Sequence, residues 1–500
     1  MRSKRWFLLM VLSLVLAALA CRFSAPTPVS WLPTTTALAH NQTQTALSER
    51  QTASPVAPTS LPTTATPTAL SPTPTLIEDG PWLVFPNEAG TGLYALDRDT
   101  GSLYPIDLPA LVAPGDVLDG RAPNGSQLLV RAGNMEELDE LAFYRWVSPH
   151  KPPDKVTPLL SVGLQQAIIN QDKGQALMAL RAVQQPHAIS WSKDSKMAVF
   201  SAALHGQSSE IYLYKPATDS LQRLTARYQQ DISPLWSPGL EWVVFQEVDT
   251  YLTPNAWEVS LVAGLSMPDN AITRFLYVPS SESVEEIFAG WTNELYLLSY
   301  TKTEQGGKTL RLTNIKAGKP TIIFSGAFKN LVLDPATGDI ALYVDPESAR
   351  QNEQTPGIYY SQNGGVYFHK LLEGEYDHLN YSSALGHFWV SRNNTVIEFN
   401  SSGIISTLLQ ETRVSYSPNA NWIIAYGENG ARLYSGEGTR LQILSQEAVE
   451  TVIWQENSQG FYLLQADGLY QRQFPLLQPQ LLCADVYRQD EALFIWLTPN

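Results

Sequence analysis

Apolar and polar positions along this chain alternate between short apolar runs and tight polar turns. The segment at Trp191 is WSKDSKMAVF, the one at Trp236 is WSPGLEWVVF, and the one at Tyr416 is YSPNANWIIA. Asn, Asp and Gly tolerate the left-handed backbone of a tight turn. Short runs rich in Val, Ile, Tyr and Phe are typical of β-strands. Each segment therefore predicts a turn that follows the aromatic residue, and then a β-strand.

The same pattern recurs, in whole or in part, in nine segments. They begin near Trp82, Ala122, Trp191, Trp236, Trp291, Asp334, Phe388, Tyr416 and Trp454. Trp191 and Trp236 are 45 residues apart, and Tyr416 and Trp454 are 38 apart. A period of about 40–45 residues is the span of a four-stranded propeller blade, and radial stacking of blades buries both faces of each sheet. We predict an all-β fold, a single β-propeller of about eight four-stranded blades, with seven or nine possible.

Two further segments refine this prediction. The apolar run 492–497 predicts a last strand that completes the first blade and closes the ring. Residues 161–185 lack the strand pattern, and Ala176 to Leu180 are helix-forming, so we expect a short helical insertion there.

The repeat also resembles a known family. The segments at Trp191 and Trp236, with IYLYKPATD from Ile211 and RLT from Arg223, resemble the TolB-type, WD-like propeller repeat. The resemblance covers residues from about 80 to 495 and implies a propeller fold, but its motifs are structural and imply no ligand.

The aromatic residues at the repeat starts are predicted to be scaffold. These are Trp191, Trp236, Trp291, Tyr416 and Trp454. A buried aromatic that packs one blade on the next is the leading interpretation, and a role in lining a ligand groove is the alternative.

The N-terminus has the features of a targeting segment. A basic start with Arg2, Lys4 and Arg5 precedes an apolar stretch over 6–20, which is short for a membrane span. The end of this stretch, Ala-Leu-Ala before Cys21, resembles the lipobox of bacterial lipoproteins, which implies a diacylated Cys21 as the mature N-terminus. An ordinary signal peptide cut near Ala20 is the alternative.

These features divide the chain into three parts. We predict a lipoprotein signal peptide over 1–20, a disordered linker over 21–77 and the propeller over 78–500. The linker consists largely of Pro, Thr, Ser and Ala and has too few apolar residues to form a core. It is expected to act as a spacer from the membrane.

Charge and cysteine content narrow the function classes. The net charge is −15, of which −19 falls on residues 78–500. Such an acidic domain disfavours nucleic acid as a partner. The chain has two cysteines. If Cys21 is lipidated, no intramolecular disulfide can form, and Cys483 is expected to be a buried, inert thiol.

No local catalytic or metal-binding motif is present in the sequence. It lacks a Gly-x-Ser-x-Gly elbow, a His-Glu-x-x-His pair, a Cys-x-x-Cys pair and a phosphate loop. His369, His378 and His387 are interpreted as polar strand or loop residues, 136–140 as a solvated acidic loop and 363–365 as a hairpin turn. We therefore predict no cofactor, metal or local catalytic site.

Two functional hypotheses remain. The first is an extracytoplasmic lipoprotein, anchored to a bacterial membrane, whose propeller is a non-catalytic binding or scaffolding module for a protein or envelope-glycan ligand. The second is a propeller enzyme, of hydrolase or lyase type, with a site assembled at the channel mouth from several blades. Functional residues are expected in stretches that the repeats do not share: 132–157, 246–256 and 345–357.

Overall fold

The computed structural model describes residues 80–498 except 171–173, 254–255, 278–284, 304–305, 352, 366, 410–411 and 489–492. These residues form a β-propeller of nine sheets, eight with four strands and one with three. The predicted signal peptide, linker and Cys21 lie outside the described residues.

The sheets are numbered as blades 1 to 9 in chain order, and all their strand pairs are antiparallel. Blade 1 contains β1 (Trp82–Pro86), β2 (Leu93–Asp97) and β3 (Leu103–Ile106); blade 2 contains β4 (Leu128–Ala132), β5 (Ala142–Trp146) and β6 (Asp154–Pro158); blade 3 contains β7 (Ile189–Trp191), β8 (Ala198–Ala202), β9 (Glu210–Lys215) and β10 (Ser220–Arg223). Blade 4 contains β11 (Gln230–Trp236), β12 (Trp242–Thr253), β13 (Ala256–Ser266) and β14 (Ala271–Tyr277); blade 5 contains β15 (Glu285–Trp291), β16 (Tyr296–Thr303), β17 (Gly306–Asn314) and β18 (Lys319–Phe328); blade 6 contains β19 (Asn330–Leu333), β20 (Ile340–Val344), β21 (Gly357–Ser361) and β22 (His369–Glu373). Blade 7 contains β23 (His378–Ser382), β24 (His387–Arg392), β25 (Thr395–Asn400) and β26 (Gly403–Leu409); blade 8 contains β27 (Arg413–Tyr416), β28 (Trp422–Gly427), β29 (Gly430–Ser435) and β30 (Arg440–Ser445); blade 9 contains β31 (Val449–Trp454), β32 (Gly460–Gln465), β33 (Gly468–Gln473) and β34 (Gln480–Cys483), and β35 (Ile495–Leu497) returns to blade 1.

Within the described ranges, four helices interrupt this pattern. They are α1 (Asp116–Asp119), α2 (Val162–Ile169), α3 (Gln175–Ala182) and α4 (Pro346–Gln351). The predicted helical insertion over 161–185 is confirmed, and it contains two helices, α2 and α3. The Ser161 side chain caps α2 by accepting a hydrogen bond from the Leu164 amide at 3.3 Å. Among the described residues, no helix is long and apolar enough to cross a membrane.

In blades 3 to 9 the first strand lies nearest the centre of the ring, and in blade 1 β35 takes this position. The first strands of neighbouring sheets contact one another, as β19 does with β23 and β27 with β31. The fourth strands form the rim, because the side chains of β10 and most of those of β30 are exposed.

The repeated aromatic segment forms the turn between the first and second strands. In blade 8 the Ser417 amide donates to Trp422 O, and the Ser417 hydroxyl accepts from the Trp422 amide at 3.0 Å. The fourth residue of the turn has a positive φ, +58° at Ala420 and +61° at Leu240. Asn, Asp and Gly favour that backbone, but the closed turn holds Ala and Leu in it here.

The described residues form nine hydrophobic clusters, one between each pair of neighbouring blades. Between blades 3 and 4, for example, Trp236 and Phe245 pack on Val199, Ile211 and Leu213. Each fully buried side chain of this size contributes about 1.5–3 kcal/mol. Every sheet therefore depends on its two neighbours for burial of its faces.

The ring is closed by the C-terminal strand, as the sequence predicts. β35 pairs with β1, with Trp82 opposite Leu497 and Val84 opposite Ile495. A cluster that contains Phe85 of blade 1 and Tyr462 of blade 9 fills the last interface. The two ends of the described range are therefore held together by one sheet.

The blade number is nine, within the predicted range of seven to nine and one above its central value. Each of the nine sequence segments contributes to a sheet of its own, so no copy is a hairpin inside another blade. The departure from four strands is blade 2, where the chain makes only isolated bridges, Leu111 with Ala132 and Arg121 with Leu128. Helix α1 lies between these bridges.

A buried ion pair holds this irregular part of blade 2. The Arg131 guanidinium donates to both oxygens of Asp116, at 2.6 and 2.8 Å, and to the carbonyl oxygens of Val183 and Gln185. The side chains of Arg131 and Asp116 are 0% and 1% exposed. Since these carbonyls precede β7, the pair ties α1 to the start of blade 3.

The connections differ between the two faces of the ring. We define the loop-rich face as the one that carries connections from second to third strands and from fourth strands to the next blade. It includes 133–141, the helical insertion 159–188, and 345–356 with α4. The β12–β13 hairpin of blade 4 also extends here, with strands of 12 and 11 residues.

The three stretches expected to carry function all reach this face, but they are less irregular than predicted. The prediction of irregular structure over 246–256 was wrong, because β12 and β13 continue their pairing through most of it. Residues 132–157 include β5 and most of β6, and 345–357 include α4. Polar residues in these stretches are compatible with strands because the hairpins can keep one side in solvent.

Candidate functional site

Three carboxylates come together between blades 3 and 4, near the loop-rich face. Glu210 is the first residue of β9, Asp231 is the second of β11, and Glu247 lies in β12. Asp231 and Glu247 are cross-strand partners, so their side chains point to the same side of the sheet. The Asp231 amide donates to the Ser209 carbonyl oxygen at 2.9 Å, and Ser209 directly precedes Glu210. The charge of Glu210 raises the pKa of Asp231.

Three arginines pair with two of these acidic residues, Glu210 and Glu247. Arg223, at the end of β10, donates to Glu210 Oε1. Arg227, in the connection to blade 4, donates to Glu247 Oε1. Arg274, on β14, binds both oxygens of Glu247, at 2.9 and 3.2 Å. We call these six residues the arginine cluster: Arg223, Arg227, Arg274, Glu210, Asp231 and Glu247.

Burial divides the arginine cluster into two layers. The side chains of Glu210 and Glu247 are 1% and 0% exposed, whereas those of Arg223 and Arg274 are 36% and 44% exposed. The carboxylates therefore form the floor, and guanidinium groups form the surface that a ligand would contact. Such pairing fixes the planar guanidinium in one orientation.

Asp231 is the unpaired member of the cluster. It is fully buried, and neither of its carboxyl oxygens has a hydrogen-bond partner among the described residues. Burial raises its pKa to about 8, with the nearby Thr225 side chain lowering it and Glu210 raising it further. Asp231 is thus mainly protonated at pH 7.

A hydrogen-bonded chain leads from Glu210 toward the loop 203–209. The Tyr212 hydroxyl donates to Glu210 Oε2 at 3.0 Å, and His205 Nδ1 lies 2.9 Å from that hydroxyl. Burial and the Glu210 charge raise the pKa of Tyr212, so the phenol stays neutral and acts as a donor. His205 is exposed, which gives the chain one end in solvent.

The helical insertion is attached to the same region. Gln230, next to Asp231, accepts a hydrogen bond from the Ser209 amide at 2.7 Å and donates to Gln175 at 3.1 Å. Gln175 is the first residue of α3. The insertion therefore borders the arginine cluster.

Blade 5 has a similar pair. The buried Glu286 accepts hydrogen bonds from Arg311 and Ser299, each at 2.7 Å, and burial raises its pKa. Gln246 of blade 4 donates to the Glu286 carbonyl oxygen at 2.8 Å. Paired carboxylates and arginines thus continue from blade 3 to blade 5.

The aromatic residues singled out in the sequence lie away from the arginine cluster. Each of them ends the first strand of its blade, at the face opposite the loop-rich one, and all are buried: Trp191, Trp236, Trp291, Tyr416 and Trp454. The Trp191 indole donates to Gly120 O at 2.7 Å. These positions leave little surface for a ligand.

The histidines, the acidic loop and the glycine turn considered in the sequence do not form a common site. His369, His378 and His387 begin β22, β23 and β24, and burial lowers the pKa of His378. The loop 136–140 is exposed except for Leu138, and 363–365 form a turn with positive φ. Within the described ranges, no group of three or more His, Cys, Asp or Glu side chains is arranged to hold a metal ion. Cys483 is buried.

The arginine cluster was not among the sites predicted from the sequence. One signal was present, since Glu210, Glu247 and Glu286 are acidic residues within or beside apolar strand segments. A charge on a buried strand needs a partner. Three different strands and a connection supply the partners, however, and no sequence spacing relates them.

Comparisons with known proteins find only distant structural similarity. No protein-family model matches the chain, and no curated protein matches it. A crystal structure of the eukaryotic initiation factor matches at 10% identity over 84% of this chain and 98% of the other, with a TM-score of 0.49. Porphyromonas gingivalis dipeptidyl peptidase 4 matches at 12% identity over 76% of this chain, with a TM-score of 0.45. TolB from Acinetobacter baumannii matches at 13% identity over 70% of this chain and 74% of the other, with a TM-score of 0.30.

These similarities are too distant to assign an activity. The chain spans 64% of the length of the dipeptidyl peptidase. The assignment of a propeller rests on the nine sheets themselves.

Proposed function

We propose that this protein is a membrane-anchored, extracytoplasmic lipoprotein whose propeller binds a partner through its loop-rich face. The observation that carries the proposal is the concentration of inserted helices and extended hairpins on that face. The inserted helices pack on the core through residues such as Leu164 and Ala349, and loops held by such a rigid scaffold commonly form binding surfaces.

The anchor is part of the proposal. The lipobox-like segment places a diacylated residue at Cys21, and two acyl chains suffice for stable membrane attachment. The Pro- and Thr-rich linker then holds the propeller away from the bilayer. In this arrangement the loop-rich face is free to meet a protein or glycan of the cell envelope.

The arginine cluster supports binding over catalysis. Its carboxylates lie under arginines and are almost completely buried, so substrate atoms would contact guanidinium groups first. A general acid or base must come within hydrogen-bond distance of the reacting atom. Glu210 and Glu247 do not meet this condition while their arginines cover them.

A blocking experiment tests which face binds. The propeller, residues 78–500, contains Cys483 as its one cysteine, and this thiol is buried. Tyr228 on the loop-rich face and Tyr367 on the opposite face are 91% and 85% exposed, so Tyr228→Cys and Tyr367→Cys offer matched sites for a polyethylene glycol maleimide.

We expect modification at residue 228, but not at residue 367, to abolish recovery of a partner from detergent-solubilised envelope. Equal recovery from both modified proteins would contradict binding through the loop-rich face.

The second candidate is an enzyme with its site between blades 3 and 4. The observation in its favour is Asp231, whose raised pKa is of the kind found in general acids. Asp231→Asn separates the two functions, because an enzyme that uses this proton would lose turnover of its substrate while a binding module would keep its partner.

A further inference from the structure

The arginine cluster differs in charge from the domain that contains it. Residues 78–500 carry −19, whereas the cluster has three guanidinium groups, two paired carboxylates and a mainly protonated Asp231. Its described side chains therefore sum to a positive charge. An acidic ligand would be repelled by most of the domain and attracted at this point.

Two of the arginines retain unused donors. Arg223 uses Nε for Thr225 O and Nη2 for Glu210, and Arg274 uses Nε and Nη2 for Glu247. Neither Nη1 atom forms a hydrogen bond to the described part of the chain. Both side chains are more than a third exposed, so these donors can reach a ligand carboxylate.

An exposed aromatic residue adjoins the cluster in the sequence. Tyr228 is 91% exposed and directly follows Arg227, whose guanidinium binds Glu247. Tyrosine and arginine are enriched among the residues that dominate protein–protein binding energy. This composition favours a protein partner over a glycan.

We propose that Arg223, Arg274 and Tyr228 bind an acidic peptide segment of a partner protein. This inference rests on the proposed function and adds the chemistry of the ligand. The ligand carboxylates accept hydrogen bonds from the unused guanidinium donors, and Tyr228 packs against the peptide. Because such pairs are partly exposed, the affinity must fall as salt rises.

The test uses the full-length protein in a nonionic detergent and a fluorescent oligo-glutamate peptide as probe. Arg274→Gln is the main variant, because Arg227 still pairs with Glu247 when Arg274 is lost. Arg440→Gln is the matched control, since Arg440 begins β30 on the opposite face and is exposed. Thermal unfolding of each variant checks that it is folded.

We expect Arg274→Gln and Arg223→Gln each to weaken oligo-glutamate binding about tenfold, the loss for one charge-assisted contact, and Arg440→Gln to leave it unchanged. Absence of binding by the wild type, or equal loss in Arg440→Gln, overturns the inference. Polygalacturonate that binds in an Arg274-dependent way where oligo-glutamate does not would also overturn it, in favour of an acidic glycan. The blocking experiment at residues 228 and 367 judges the proposed function separately.

Discussion

Asp231→Asn changes how the stability of the propeller depends on pH. Asp231 is buried between blades 3 and 4 with a pKa of about 8, against 3.8 for an ordinary aspartate. Between these values the unfolded chain is ionised at this position while the folded protein keeps its proton. The folded state thus binds more protons, and its stability must fall as pH rises through this window.

The size of the effect follows from the same two values. Each pH unit within the window lowers the free energy of unfolding by about 1.4 kcal/mol for one such group. Below pH 3.8 both states are protonated and the slope from this group disappears. Asparagine does not titrate, so the free energy of unfolding of the variant lacks this dependence on pH. The buried amide can change the stability of the variant, but by the same amount at every pH.

Urea unfolding followed by tryptophan fluorescence measures the difference. From about pH 5 to about pH 7, we expect the wild type to lose roughly 3 kcal/mol more stability than Asp231→Asn. Asp107→Asn, at an exposed aspartate of the connection after β3, is the control and should follow the wild type. Parallel curves for wild type and Asp231→Asn would refute the argument, because they would mean that Asp231 is ionised in the folded protein.

Three further changes test the scaffold and the anchor. Trp236→Ala should cost about 3–5 kcal/mol in urea unfolding, because its indole is 5% exposed between blades 3 and 4; a loss below about 1 kcal/mol would place it on the surface. Arg131→Met should cost about 3–5 kcal/mol by leaving Asp116 buried without its cation, and stability close to the wild type would show that this pair does not hold blade 2. Cys21→Ser should release the protein from membranes in fractionation at high salt, and retention there would argue against the lipid anchor.

The propeller scaffold could be predicted from the sequence because most blades repeat the same local pattern of a turn between two apolar strands. The segments at Trp236 and Tyr416 encode a turn and two strand edges within about ten residues, and such local patterns are visible without the fold. The closing strand was visible for the same reason, since 492–497 is an apolar run with no partner nearby in the chain.

The irregular structure of blade 2 could not be predicted from local sequence patterns. Its first-strand position is taken by two isolated bridges on either side of α1, and the Arg131–Asp116 pair compensates for the missing ladder. An arginine within an apolar strand signals that it needs a partner, but the sequence does not say that the partner lies in a four-residue helix.

The arginine cluster could not be predicted from the sequence for a related reason. Glu210 and Arg223 are 13 residues apart, and Glu247 and Arg274 are 27 apart. These spacings depend on the lengths of the intervening strands and turns. Only the stacking of blade 3 on blade 4 brings Glu210 next to the strand that carries Asp231.

The central claim is that the loop-rich face of the propeller binds a partner in the cell envelope. Its most direct test is site-specific photo-crosslinking in intact cells, with benzoylphenylalanine at position 228 or 367 of the full-length chain. Both positions are exposed tyrosines, and they lie on opposite faces. We predict a discrete crosslinked product from position 228 and none from position 367, whereas a product from position 367 alone would contradict the claim.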